Sequence, residues 1–432
     1  MARKSTPQVS QEELLSELLS GTQFKFIGQD GEQGKGSLSD KPKVETPLIA
    51  LNDLLGGGLP LGSILEVFGP NASGKSSFMY ETLGNFQRQY PNGVAFIIDT
   101  ETSTDDSRLR ALGVDPLRSP RMGAATLEDG FEQINKIMSK MTSDKRYEGF
   151  PVFILWDTIA SAPTRAQLKT GEMYSGGMAE RARILKTALM TIFPLIEKQN
   201  VLLVLLNQVM AEIGGWRPGV TSSGGNALKH DIHMRLKIDG GKTVYDGPYA
   251  IQKYSDLDIS KSKVSPLMNS IPIIIDITKG GVIDRSGSFV WWMANLTEPV
   301  VFNQGQYWTV ADWCYEKYKV FWDKLDMYKF RQSKLYEIAR SNEDLVNLLQ
   351  LIWIDLISSR YSLQKEVCKS LRDEIEAKLL TSLDISYDQL STESSTSEVI
   401  NAESAEVSSS DLAELTDALG AGLDISTGEV VE

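Results

Sequence analysis

The sequence predicts an α/β fold in which a mainly parallel, doubly wound sheet carries helices on both faces. Three observations lead there. Between about residues 45 and 285, short apolar runs alternate with amphipathic helical patterns. The runs are apolar at nearly every position, as strands covered on both faces require. A glycine-rich loop, GPNASGKS (Gly69–Ser76), stands between one such run and a helical pattern, the strand–loop–helix order of a phosphate-binding loop.

The elements follow in chain order. Ser10 and Glu13 form a capping box ahead of Leu14, Leu15, Leu18 and Leu19, so residues 8–20 predict a short amphipathic helix. It is too short to be stable unpacked, and it docks either on its own core or on a neighbouring subunit. Residues 21–42 lack periodicity and read as an arm. Candidate strands are Ile64–Phe68, Val94–Ile98, Val152–Trp156, Val201–Leu206, His233–Ile238 and Ile271–Ile277. Helices are expected at Ser76–Tyr90, Leu127–Met141 and Ala179–Lys198. Residues 286–323 hold five of the eight tryptophans (Trp291, Trp292, Trp308, Trp313, Trp322), within an apolar pattern that favours packing over a stacking platform. Asp323–Leu380 is helix-like, with Ser341 as an N-cap before Leu345. The domains are therefore drawn at 1–43 (helix and arm), 44–285 (core), 286–383 (a small C-terminal lobe) and 384–432 (a Ser/Thr/Glu-rich, compositionally disordered tail).

Composition excludes several classes. Of the 432 residues 41 % are hydrophobic and 23 % charged, ordinary for a soluble globular protein. No apolar run approaches membrane-spanning length, and the first residues lack the apolar segment of a signal peptide. Cys314 and Cys368 make neither a metal pattern nor a disulfide framework. A cytoplasmic protein without membrane contact is expected. The net charge of −13 is concentrated in the tail: the last 54 residues hold 12 carboxylates and no Lys or Arg. Residues 1–378 keep 44 basic against 45 acidic residues, a net of −1, which leaves the body free to carry basic surface. The tail either restrains nucleic-acid binding or merely solubilises. Its Asp411–Leu419 stretch is a candidate acidic amphipathic helix for contact with a partner protein.

In the loop, Gly69, Pro70, Asn71, Ala72, Ser73, Gly74, Lys75, Ser76 and the following Ser77 are placed to cradle the phosphates of ATP or GTP with backbone N–H groups and a helix N-terminus. Lys75 is expected on the β and γ phosphates and the Ser76 hydroxyl on Mg²⁺. Asp157 ends the strand FILWD at the carboxyl edge of the sheet, where it would hold Mg²⁺ through its water shell. Glu101, after Ile98-Asp99-Thr100, offers a second carboxylate for water activation. Asn207-Gln208 ends another strand, and its amide is a candidate sensor of the γ-phosphate.

Together these blocks resemble the RecA family of DNA recombinases, bacterial and phage (UvsX-type) members above all. The resemblance runs through Val44–Ser76, FIIDTET (Phe96–Thr102), RLRALGVDP (Arg108–Pro116), WDTIASAPTRAQ (Trp156–Gln167), LLNQV (Leu205–Val209) and SSGGNALKH (Ser222–His230). It implies a RecA-type ATPase core and an ATP-dependent, single-stranded-DNA-stimulated strand-exchange enzyme working as a homo-oligomeric helical filament on single-stranded and homologous duplex DNA. It also favours docking of the N-terminal helix on a neighbouring subunit, and a mediator or a single-strand-binding protein as a further partner. A ring-forming ATPase of the same fold, such as a helicase, is the alternative, and GGNALK and the KSK segment argue for the filament. By resemblance Glu101 orients the attacking water and Gln208 couples ATP state to DNA binding. Arg181 follows a first DNA loop at about 168–179. The second loop, 210–226, supplies Met210, Trp216, Arg217, Gly224, Gly225 and Asn226, and Lys261 and Lys263 reach a neighbour's ATP. The sequence departs from the bacterial pattern at Met210 and Glu212, where basic residues are usual, and at Arg108, where an adenine-stacking tyrosine is common.

Overall fold

The computed structural model describes residue 38 and residues 40–390, apart from 102–104, 171–176, 212–219, 223–227, 229–230, 266–268, 297–298, 305–306, 328, 332–334, 361 and 388. The expected N-terminal helix at 8–20 and the Asp411–Leu419 segment lie outside the described residues.

Every residue of Ser63–Gly69 and Val152–Asp157 is buried. Alternate side chains leave such strands on opposite faces. Leu202, Val204 and Leu206 join one apolar cluster with the helix Lys75–Gln89. Val201, Leu203 and Leu205 join a second, with Leu127–Ser143 and Gly177–Lys198. That division is the doubly wound arrangement expected.

The sheet has ten strands, nine of them in the order Val282–Ile283, Ser270–Asp276, Tyr249–Ser262, Met234–Asp246, Ser63–Gly69, Val201–Ala211, Val152–Asp157, Val94–Asp99, Arg121–Met122, with Val220–Ser222 pairing on Val201–Ala211. Pairing is parallel from Met234–Asp246 through to Arg121–Met122. It is antiparallel on the other side. The sheet is therefore mixed, and the expectation of a mainly parallel sheet holds for that half. The strand expected at His233–Ile238 is 13 residues long and turns at Gly247 (φ 55°) into a 14-residue partner that the apolar pattern did not announce. Lys237, Asp239, Lys242 and Asp246 interrupt its apolar run because much of this ribbon stands in solvent.

Beyond Ile283, a three-stranded antiparallel sheet (Val301–Gln304, Tyr307–Val310, Lys329–Arg331) is flanked by helices. Of the five tryptophans expected to pack, Trp292 and Trp322 are buried with Trp353 in the cluster that also holds the Lys75–Gln89 face of the sheet, whereas Trp291 and Trp313 are exposed. Gln350 donates to the buried Asp53 carboxylate at 2.7 Å and ties this region to the helix Ile49–Leu54. The cap of Glu343–Arg360 is Asn342, whose side-chain oxygen accepts from Leu345 N–H at 3.0 Å, rather than Ser341. Ser341 ends the preceding helix, and its hydroxyl bonds back to Glu337 and Ile338 carbonyls.

A helix lies close on the sheet in the second cluster at Gly130, where a Cβ would stand 2.1 Å from the Trp156 ring. Gly130→Ala should lower stability by about 1–3 kcal/mol through overpacking. A reduced urea midpoint at unchanged slope is the expected reading, and Trp156→Phe added to it should recover part of the loss.

Candidate functional site

The buried strand Ser63–Gly69 delivers the chain to a sharp turn at the sheet's carboxyl edge. A Cβ on Gly69 would lie 2.0 Å from the Ile238 carbonyl oxygen, and Gly74 holds φ 105° with its would-be Cβ 2.4 Å from Ile275. Only glycine serves at either position, so the backbone itself lines the cradle. Gly74 precedes the 15-residue helix Lys75–Gln89, whose positive end faces the loop. The nearly buried Lys75 ammonium donates to the carbonyls of Gly69 (3.0 Å) and Pro70 (2.7 Å). Burial pulls its pKa down, against the pull of Asp157 and Glu101. Ala72 to Ser77 line a cleft with Arg108, Thr243, Tyr245, Ala250, Lys253, Ile275 and Ile277.

Three strand ends meet beside this loop. Asp157, 6 % exposed, hydrogen-bonds to Ser76 and Tyr80. Burial, with help from Glu101 and Asp99, raises its carboxyl to about 6. The Asp157–Thr158 peptide is cis. Thr100 and Thr158 lock the neighbouring ends together: Thr158 N–H donates to Thr100 Oγ1 (3.1 Å), and Thr100 Oγ1 donates to the Thr158 carbonyl (2.6 Å). Thr158 Oγ1 in turn donates to the Leu206 carbonyl at 2.7 Å. Glu101 therefore reaches the strand of Gln208: its Oε1 accepts from Gln208 Nε2 at 3.3 Å and from Ser161 Oγ at 3.0 Å. Gln208 pairs in register with Gly69, the first loop residue.

Below the loop lies a buried polar group. Glu66 is wholly buried in the P-loop strand; its Oε2 accepts from Arg235 Nε at 2.6 Å and its Oε1 from Asn207 Nδ2 at 2.8 Å. Arg235 also covers the Phe68 ring, 4.4 Å from its centre. Sequence reasoning missed this group and Ser161, although a carboxylate inside the apolar run ILEVF signals that a buried partner must exist.

The chain matches the RecA N-terminal domain family over residues 32–282. Protein RecA of Desulforapulum autotrophicum is 29 % identical over 275 residues, 61 % of this chain and 76 % of that protein. Protein RecA of Delftia acidovorans is 30 % identical over 260 residues (60 % and 67 %), and that of Chloroherpeton thalassium 28 % over 301 residues (66 % and 80 %). The chain belongs to the RecA family. It is a RecA-type ATP-dependent recombinase acting on DNA.

The remaining expected residues of this RecA-family chain fall in different places. Arg108 is exposed on the helix Asp106–Ala111 and lines the loop's cleft. Lys261 pairs in register with Arg235, and Lys263 N–H donates to the His233 carbonyl, level with Ile64 at the start of the P-loop strand. Five residues of strand separate Ile64 from Gly69, about 16 Å. Lys261 stands level with Glu66 at mid-strand. Lys263 thus stands toward the opposite end of the P-loop strand from its own loop, with its ammonium 4.8 Å from the Phe193 ring centre. His233 is buried there as a packing residue, stacked on Phe193 and accepting from Ile64 N–H at 3.0 Å. Arg181, partly buried, donates to the Ile159 and Ala162 carbonyls behind the Asp157 strand. Met210 lies on the strand Val201–Ala211, which runs past the expected Leu206 and pairs Met210 with Thr221 in a returning strand. Trp216, Arg217, Gly224, Gly225, Asn226 and His230 lie outside the described residues. No helix among the described residues is long and apolar enough to cross a membrane.

The raised Asp157 pKa fixes a sign. The fold favours the protonated carboxyl, so the stability linked to it is complete below the ordinary 3.8 and is lost as pH rises through about 6. Asp157→Asn should therefore be more stable than the parent protein at pH 8, on the order of 1–3 kcal/mol, with the advantage shrinking toward pH 5. Thermal unfolding of both proteins at the two pH values is the check; an advantage independent of pH would mean that the carboxylate does not titrate with folding.

Proposed function

We propose that the chain is a single-stranded-DNA-dependent ATPase whose subunits assemble head to tail on that strand as an open helical filament and pair it with homologous duplex DNA. The observation that carries this reading is the hydrogen bond between Glu101 and Gln208 beside the phosphate loop. It joins a carboxylate placed to orient water with an amide on the strand that runs on to Ala211, returns at Val220–Ser222 and so frames the residues between them. A change at the γ-phosphate position is thereby felt at the base of the second DNA loop.

The residues present fit ATP with Mg²⁺. The glycine-lined turn leaves room for phosphate oxygens, and the Ser76 hydroxyl sits hydrogen-bonded to Asp157. Among the described residues no three His, Cys, Asp or Glu side chains converge as a metal cage. That suits an ion which keeps several waters and takes other ligands from phosphate. Ser76 and, through its water shell, Asp157 would hold Mg²⁺, which would supply neutralisation of the phosphate charge. Lys75 turns from its loop carbonyls to the β and γ phosphates, and the peptide N–H groups of the loop from Asn71 to Ser77 hold the remaining oxygens. Glu101 orients the attacking water and accepts its proton, while Ser161 and Gln208 fix the carboxylate's direction. Lys261 and Lys263 complete the site of the next subunit, a heterologous contact that does not close on itself. Arg181, Arg217 and the backbone at Gly224, Gly225 and Asn226 contact the phosphates of the bound strand, and Trp216 stacks on its bases beside Met210.

The test is DNA-stimulated ATP hydrolysis together with D-loop formation. The parent protein should form joint molecules with ATP and none with ADP, and Lys75→Ala should lose both activities. Glu101→Gln should still bind ATP while hydrolysis falls about 100-fold or more. ATPase activity indifferent to single-stranded DNA would refute the reading.

The two lysines can be tested in trans. Lys75→Ala and the Lys261→Ala/Lys263→Ala double variant should each be inactive alone. Mixed in equal amounts they should regain about a quarter of the parent ATPase activity, the share of interfaces in a random head-to-tail copolymer that join an intact loop to an intact lysine pair. No recovery on mixing means that the lysines act elsewhere.

A further inference from the structure

The long ribbon formed by Met234–Asp246 and Tyr249–Ser262 presents one face to the nucleotide cleft. Thr243, Tyr245, Ala250 and Lys253 all line it, and they are register partners: Tyr245 with Ala250, Thr243 with Lys253. The ribbon is held against the loop itself. Lys253 Nζ donates to the Ala72 carbonyl at 2.6 Å, and Ser255 Oγ to the Ser73 carbonyl at 3.1 Å. A register shift between Lys253 and Ser255, beside Gly241, whose Cβ would lie 2.0 Å from the Tyr254 carbonyl oxygen, bends the ribbon at this point. Its tip is thus built into a fixed position over the cleft.

Within that position the Tyr245 ring is 61 % exposed, and among the described residues it has no hydrogen-bond partner. Packing does not account for it. Arg108 lines the same cleft, on a helix that follows Val94–Asp99, a strand on the other side of the P-loop strand from the ribbon. Ile275 and Ile277 add apolar surface, and Ala250 beside Tyr245 keeps the space open. The cleft thus joins a phosphate cradle to a phenol, a guanidinium and two isoleucine side chains, groups that suit the two halves of a nucleoside triphosphate.

We propose that Tyr245 is the wall on which the nucleotide's base stacks, and that the Tyr245–Arg108 pair selects purine over pyrimidine triphosphates by ring area. The proposal rests on the nucleotide reading above and deepens it. Stacking reads the extent of the ring rather than its donors and acceptors, so ATP and GTP are expected to bind alike and CTP less tightly.

Calorimetric titration of the full chain with Mg²⁺ and the β,γ-imido analogues of ATP and CTP, and with inorganic tripolyphosphate, tests it. Tyr245→Ala should weaken the ATP analogue about tenfold, the scale of one aromatic–base stack, reduce its preference over the CTP analogue, and leave tripolyphosphate unchanged. Tyr245→Phe should behave as the parent protein, and so should Tyr249→Ala, which removes a more exposed tyrosine that does not line the cleft. Unchanged binding of the ATP analogue by Tyr245→Ala overturns the base wall alone, as does an equal loss for tripolyphosphate, which would mean a displaced phosphate loop. Parent protein that binds neither the ATP analogue nor tripolyphosphate overturns the nucleotide reading and this proposal with it.

Discussion

A carboxylate buried in the strand that launches the phosphate loop has to be satisfied, and the neighbouring strands do this from either side. Glu66 accepts from Arg235 on one strand and from Asn207 on the other. Removing one partner from such a group costs roughly 3–5 kcal/mol, whereas the intact group adds little net stability. Its effect is to fix register: a slip of one residue would turn Glu66 to the opposite face and leave Arg235 buried and unmatched. Those three strands carry the phosphate loop, Gln208 and the ribbon that bears Tyr245. Their alignment at Glu66 sets where all three arrive at the carboxyl edge.

From that alignment the chemistry follows. Gln208 reaches Glu101 because it pairs in register with Gly69, and because the Thr100–Thr158–Leu206 chain of hydrogen bonds holds the neighbouring strands together. Asp157 stands in a buried setting that raises its carboxyl, with the Ser76 hydroxyl beside it. Asp157 and Gln208 are placed by strands, which restricts how far they can move without shifting the sheet.

Much of this was legible in the sequence wherever one local pattern decided the outcome. GPNASGKS between a strand and a helix, the carboxylates at Asp157 and Glu101, and uniformly apolar strands divided between two faces are all short-range signals. The ribbon at 234–262 was not, because half-exposed strands mix polar and apolar residues and lose the buried-strand signature. Nor were the pairings of Glu66 with Arg235 or of Glu101 with Ser161, since residues 169 and 60 positions apart are joined only by topology. At the cap of Glu343–Arg360 two adjacent polar residues competed, and the path of the preceding helix gave the role to Asn342.

The lysine pair and the phosphate cradle occupy different parts of one sheet, with Lys263 level with the start of the strand that the cradle ends. On the proposed assembly each protomer is consequently a polar building block, with a donor end and an acceptor end that differ chemically. The two termini of any chain of such blocks cannot be equivalent: one exposes a cradle awaiting its lysines, the other lysines with nothing to clasp. Growth and shedding of subunits would then obey different rules at the two termini, and the polymer would acquire a direction of its own before any strand of DNA imposed one.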